Sequence, residues 1–229
     1  KFGASPDKAV RLLQAVSAMG ARPALTFHPG SQCTDPDMYR RYIETAGEIA
    51  SKAGVELQLL NVGGGFPAQY LNSDVAPLEV YFKAIEEAAR DTFAEVPALM
   101  CEPGRGMVAT AVSLLSKVIH IREEEHALFV NDGIYGSMQE QIMVDIRLPV
   151  RVWRGDELLI GSESRYRVFG PTCDPVDRLP GEIPLPADLR PGDYLEFGLL
   201  GAYGSATSTA FNGFAPASYL EVQRGFSAT

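Results

Sequence analysis

Three short apolar runs, each closed by a loop of glycine and polar residues, constrain this chain more than any other feature. Ala24 to Phe27 leads into Phe27-His28-Pro29-Gly30-Ser31-Gln32, Glu56 to Val62 ends in Asn61-Val62-Gly63-Gly64-Gly65-Phe66-Pro67, and Pro97 to Cys101 runs on through Glu102-Pro103-Gly104-Arg105-Gly106. Ahead of each run the apolar spacing predicts an amphipathic helix: Ser5 to Met19, with Ser5 as cap and Pro6 at the first helical position, then Asp35 to Lys52 and Pro77 to Phe93. Helix followed by strand, three times over, with polar chemistry at each strand end, is the pattern of the back part of a (β/α)8 barrel. Three such units cannot close a barrel.

Glycines at a strand end let backbone N–H groups approach an anion closely, and Arg105 adds a planar cationic fork suited to phosphate oxygens. Glu102 puts a carboxylate beside them. Taken singly, Gly-Gly-Gly-Phe-Pro reads as a turn and Glu-Pro-Gly-Arg as a loop. Their repetition at three successive strand ends is what points to a phosphate cradle with a carboxylate next to it.

After Gly106 helical periodicity nearly vanishes. Val112 to Ile121, Ala127 to Val130, Val150 to Trp153, Tyr194 to Phe197 and Tyr219 to Val222 are β-branched or aromatic runs separated by Pro/Gly loops, which predicts a mostly β domain. The expected architecture is α/β: residues 1–108 a partial barrel, residues 109–229 a β-rich C-terminal domain. Pro180 to Pro191, with four prolines, reads as an extended surface loop.

Composition excludes several function classes. A net charge of −9 without a Lys/Arg stripe speaks against nucleic acid, no apolar run is long enough for a bilayer, and there is no signal-peptide pattern. Cys33, Cys101 and Cys173 cannot all pair and lack metal-ligand spacing, so a cytoplasmic location and no metal are expected.

Together with Asn131-Asp132-Gly133-Ile134-Tyr135-Gly136-Ser137, Gly170-Pro171-Thr172-Cys173-Asp174, Gly192-Asp193-Tyr194 and Gly201-Ala202-Tyr203 leading to Phe211-Asn212-Gly213-Phe214, these strings resemble the fold-type III pyridoxal-phosphate decarboxylases of ornithine, lysine, arginine and diaminopimelate. They run in family order over nearly the whole chain. The resemblance implies pyridoxal 5'-phosphate as cofactor, an amino acid substrate and a head-to-tail homodimer with shared active sites.

It also implies roles. Glu102 would hold the proton on the cofactor's pyridine nitrogen and His28 lie against its ring. Gly63, Gly64, Gly65, Gly104, Arg105, Ser31 and Tyr203 would take its phosphate or ring hydroxyl. Cys173 would reprotonate the α-carbon, Asp174 would pair with the distal ammonium, and Phe211 would line the substrate site. His120 and His126, with no motif around them, read as structural. Diaminopimelate enzymes usually carry Cys-Glu-Ser where this chain has Cys173-Asp174-Pro175, which favours ornithine or lysine. Glu140 and Asp145 are candidates for a further substrate carboxylate, and neither spacing matches the ornithine enzymes cleanly.

The family's Schiff-base lysine lies on the first barrel strand, and none of Lys1, Lys8, Lys52, Lys83 or Lys117 has that setting. With a start at Lys1-Phe2-Gly3 and no methionine, the chain reads as the later part of a longer protein. The alternatives are an arginine or diaminopimelate decarboxylase, a racemase sharing the barrel, or an inactive homologue that binds a regulatory partner. Retention of Cys173 and Asp174 argues against the last two.

Overall fold

The computed structural model describes residues 2–214, 218–223 and 226. It divides into two compact units, Lys1–Gln69 with Asp74–Gly106, and Tyr70–Ser73 with Met107–Thr229. The short excursion 70–73 joins the second unit through hydrogen bonds: Leu71 N–H to Arg147 carbonyl at 3.1 Å, and Arg147 N–H to Asn72 Oδ1 at 2.8 Å.

The first unit contains α1 (Pro6–Ala18), β1 (Ala24–Thr26), α2 (Asp37–Ala53), β2 (Leu59–Asn61), α3 (Leu78–Thr92) and β3 (Ala98–Met100). The strands form one parallel sheet in the order β1-β2-β3. Pro6 does open α1, although Ser5 makes no side-chain capping bond. In α2 the buried positions Tyr39, Ile43, Ala46, Ala50 and Ala53 recur every three or four residues, which is the stripe a helix presents to a core. Gly54, at φ 66°, ends that helix in the left-handed conformation that a side chain would disfavour. Tyr81, Ile85, Ala88 and Ala89 form the matching stripe of α3. Between them Phe66 stacks on Tyr39 at 5.0 Å and meets Tyr81 edge-on at 6.4 Å, so the Gly-rich loop after β2 is anchored by its own phenylalanine.

A short helical turn, α4 (Arg105–Val108), precedes seven further strands: β4 (Leu114–Arg122), β5 (Ala127–Val130), β6 (Val150–Arg154), β7 (Glu157–Leu158), β8 (Glu163–Phe169), β9 (Ile183–Pro186) and β10 (Tyr194–Phe197). They make one sheet in the order β7-β6-β10-β4-β5-β8-β9, antiparallel throughout except for β5 with β8. The stretch Pro180 to Pro191, expected as loop, contains edge strand β9. Prolines 184 and 186 are tolerated because an edge strand leaves one row of backbone groups unpaired in any case. Tyr219 to Val222, expected as a strand, pairs with no strand among the described residues, and Tyr219, Leu220 and Val222 are exposed. No helix among the described residues is long and apolar enough to cross a membrane, and no group of metal-ligating side chains occurs there.

Two carboxylates secure the second sheet. Glu196 of β10 accepts Ser113 Oγ at 2.9 Å, Trp153 Nε1 at 2.7 Å and Arg151 Nη2 at 2.9 Å. Asp193, just ahead of β10, takes the Arg154 guanidinium on both oxygens at 2.9 Å and the Arg190 N–H at 2.8 Å. Burial pushes the Asp193 carboxyl up, but the Arg154 fork and the Arg190 N–H outweigh it and hold it below its ordinary value. A depressed folded value means the stabilisation is complete above the unfolded value, near pH 4, and is lost as the pH falls through the folded one. Asp193→Asn should therefore lower the denaturant midpoint of unfolding most at neutral pH. The gap to the native protein should close on acidification below about pH 4, and a gap independent of pH would contradict the assignment.

Candidate active site

The C-terminal ends of the three parallel strands carry the first cluster, and each loop is tied to the next. Asn61 ends β2 and uses both halves of its amide: Oδ1 accepts the Gly63 N–H at 2.9 Å while Nδ2 donates to Glu102 Oε1 at 2.7 Å. The Glu102 N–H reaches the Gly63 carbonyl at 2.8 Å. Gln32, at φ 54°, pairs with both backbone groups of Ala68, at 2.6 and 3.1 Å, and the Cys33 N–H meets the Gly65 carbonyl at 2.9 Å. Arg105 is buried and its Nη2 donates to Ser31 Oγ at 3.2 Å, joining the third loop to the first. His28, Ser31, Gly63, Gly64, Gly65, Glu102, Gly104 and Arg105 thus all lie on this one connected set of strand-end loops.

Local chemistry explains why the glycines are needed. Gly63 (φ 69°) and Gly65 (φ 86°) are in the left-handed region, and a Cβ on either would collide with a backbone carbonyl, that of Phe27 or Gly30. A Cβ on Gly64 would lie 2.8 Å from the Glu102 carbonyl and 3.3 Å from His28 Nε2. From below, Tyr39 donates its buried hydroxyl to the Gly64 carbonyl at 2.8 Å. Burial pushes that phenol far above its ordinary value, so it stays a neutral donor. His28 Nδ1 accepts the Gly30 N–H at 3.0 Å, which leaves the proton of the neutral ring on Nε2.

The second unit carries a second cluster. Asp174 accepts the Tyr135 hydroxyl at 2.5 Å and the Val176 N–H at 2.9 Å. These two bonds, the first above all, hold its carboxyl below its ordinary value. Exposed Cys173 stands beside it, with Sγ 3.4 Å from Asn212 Oδ1. Phe211 lies 4.4 Å from the Tyr135 ring. Beneath, buried Asp177 clamps two loops by accepting the N–H groups of Ile134 and Thr172, both at 3.0 Å. Gly133 and Gly170 pack so closely on that carboxylate that no side chain fits at either.

Cys173, Asp174 and Phe211 are therefore brought together. Tyr203 belongs to the same unit, at φ 62°, with its carbonyl capped by Thr207. Asp145 is engaged with Asn72, and Glu140 is buried at the start of a 3-10 turn. His120 and His126 contact Phe129 and Tyr166 in the sheet. Sequence reasoning assigned no role to Asn61, Gln32, Tyr39, Tyr135 or Asp177. The one available signal was position, since Gln32, Asn61 and Tyr135 lie inside the quoted motif strings.

The chain is similar to known proteins along its length. Residues 1–109 match the model of the pyridoxal-dependent decarboxylase family, pyridoxal binding domain. The chloroplastic ornithine decarboxylase of Nicotiana glauca is 34% identical over 229 residues, covering 93% of this chain and 51% of that protein. Antizyme inhibitor 2 of Xenopus laevis is 33% identical over 245 residues, with 93% and 50% covered. Among solved structures, the lysine/ornithine decarboxylase of Vibrio vulnificus complexed with cadaverine superposes with a TM-score of 0.84 at 33% identity, covering 98% of this chain and 62% of that one. The chain spans about half the length of the curated relatives it matches.

The geometry yields a matched pair of variants. Gly64→Ala forces its Cβ against the Glu102 carbonyl and His28, whereas a Cβ on Gly104 meets nothing within 4 Å. In the full-length protein, Gly64→Ala should weaken pyridoxal phosphate binding about 10-fold or more and Gly104→Ala less than about two-fold, read by fluorescence titration. Equal effects would show that the glycine loop is not the cradle.

Proposed function

From the chain's membership of the fold-type III pyridoxal-phosphate decarboxylases, we propose that the protein it forms part of decarboxylates a basic L-amino acid, ornithine or lysine by preference, to a diamine and CO2. The observation that carries this reading is the pairing of Cys173 with an Asp174 held as an anion by Tyr135. A thiol able to give a proton beside a carboxylate able to take an ammonium suits decarboxylation of a diamino acid. An inactive homologue has no use for the first, and a racemase no use for the second.

The strand-end residues fit the cofactor. A run of glycines, 63 to 65, at which a Cβ would collide with neighbouring carbonyls, a buried Arg105 touching Ser31, and a carboxylate fixed by Asn61 supply what a phosphate, a ring and a pyridine nitrogen require. When bound, pyridoxal phosphate supplies the electron sink for the pair released by loss of CO2. Glu102 would keep a proton on the ring nitrogen, with its direction set by Asn61. His28 would lie against the ring, and Gly63, Gly64, Gly65, Gly104, Arg105, Ser31 and Tyr203 would hold the phosphate end. Asp174 accepts the distal ammonium, Phe211 flanks the substrate's methylenes, and Cys173 returns a proton to the α-carbon. Aspartate with proline in the Cys173-Asp174-Pro175 string is what favours ornithine or lysine over diaminopimelate. The three free cysteines fit a reducing cytoplasm.

Cys173 and Asp174 serve the partner subunit's cofactor site in a head-to-tail dimer. In the full-length protein, borohydride reduction followed by intact mass measurement should show one cofactor per subunit. A panel of ornithine, lysine, arginine and diaminopimelate should then give CO2 from the first two. Cys173→Ala should lower diamine formation by about 100-fold with correctly bound cofactor, and unchanged turnover would refute the assigned proton donor. Mixing inactive Cys173→Ala and Glu102→Ala proteins should restore about a quarter of native activity, because half the dimers are mixed and each of these has one intact site. No recovery after subunit exchange would place each site within one subunit.

A further inference from the structure

The tightest polar contact of the second cluster, between the Tyr135 hydroxyl and Asp174 Oδ2, joins two loops that are far apart in sequence. Asp174 uses its other oxygen on the Val176 N–H at 2.9 Å, so each carboxylate oxygen has one partner and the carboxylate plane is fixed. Tyr135 is itself held on three sides. Its ring lies 4.4 Å from Phe211, and its carbonyl accepts both the N–H and the hydroxyl of Thr209 at 2.8 Å. The N–H of the preceding Ile134 is fixed by Asp177, which also fixes Thr172, two residues before Asp174. A phenol clamped in this way does more than fill space, since a phenylalanine would pack equally well against Phe211.

We infer that Tyr135 is a positioning residue for the substrate's distal ammonium: its hydroxyl orients the Asp174 carboxylate and leaves one lone pair on each oxygen for the incoming charge. The inference rests on the decarboxylase reading for the identity of the substrate. It adds a residue that touches Asp174 rather than the reacting atoms. The same hydrogen bond pushes the Tyr135 phenol up and the Asp174 carboxyl down, so donor and acceptor keep these roles across the neutral range.

Tyr135→Phe in the full-length, cofactor-loaded protein is the test. The KM for lysine and ornithine should rise about five-fold or more with kcat within about three-fold, the signature of lost substrate binding rather than lost chemistry. The pH at which KM begins to climb on acidification should move upward, because Asp174 then protonates more readily. On an Asp174→Asn background Tyr135→Phe should add less than about two-fold, since the two act as one unit. An unchanged KM, a loss confined to kcat, or fully additive losses would overturn the inference. Calorimetric titration with cadaverine separates this from failure of the decarboxylase reading. A native protein that binds cadaverine without decarboxylating anything, and loses about five-fold or more in affinity as Tyr135→Phe, keeps the Tyr135 role and discards the reaction. Equal cadaverine binding by both proteins, or none by the native one, discards the role.

Discussion

Everything proposed for the first unit depends on one constraint: three loops leaving parallel strands must be held in register although the strands themselves are only three residues long. So short a ladder cannot fix the loops beyond it, and side chains complete the task. Asn61 and the Glu102 N–H bind the second loop to the third, Gln32 and Cys33 bind the first to the second, and Arg105 with Ser31 binds the third to the first. The ties form a closed cycle, so none of the loops can shift without breaking a bond to each neighbour. Preorganisation of this kind lets backbone amides face an anion without reorganising when it arrives.

The second unit solves the same problem with carboxylates that are buried, as Asp177 is, or partly buried, as Asp132 and Glu196 are. Asp177 takes backbone N–H groups from two loops, Asp132 takes the N–H and hydroxyl of Ser137 at 2.8 Å, and Glu196 collects three side-chain donors from neighbouring strands. An acceptor with two oxygens can serve several donors at once. That is why these acids leave water wholly or in part without the penalty an unsatisfied charge would carry. Glycine makes the arrangement possible, since Gly133 and Gly170 leave the Asp177 carboxylate the room it occupies.

Much of this was legible in the sequence. The three helices follow from apolar spacing bounded by Pro6 and Gly54, and the ends of β5 and β10 fall where their apolar runs end. Strand β8 was missed because only Tyr166 and Val168 are buried in Glu163–Phe169, too few to stand out from the charged residues between them. Strand β9 was hidden by its prolines, which forbid a central strand but not an edge. Tyr219 to Val222 has strand-like composition and no ladder partner among the described residues, and composition cannot supply one. The glycine string, Glu102 and the Cys173-Asp174 pair were visible as motifs. The roles of Asn61, Gln32, Tyr39, Tyr135 and Asp177 were not, because each matters through a partner 25 to 43 positions away, known only once the chain has folded.

An anion site in a chain of net charge −9 is no contradiction, because net charge and local field answer different questions. Screening reduces the pull of exposed charges beyond about 8–10 Å, so the acidic surface repels a phosphate only weakly at the distance of the cradle. Within the strand-end loops the relevant charges are the glycine amide dipoles and buried Arg105, at contact range and in a medium less polar than water. Asn61 engages one oxygen of Glu102, the carboxylate of the third loop, with an amide donor. That tether fixes where the negative end stands. A ligand carrying phosphate at one end and a protonated ring nitrogen at the other meets both of its complements only in one orientation, so placing the carboxylate sets the direction of binding as much as its strength.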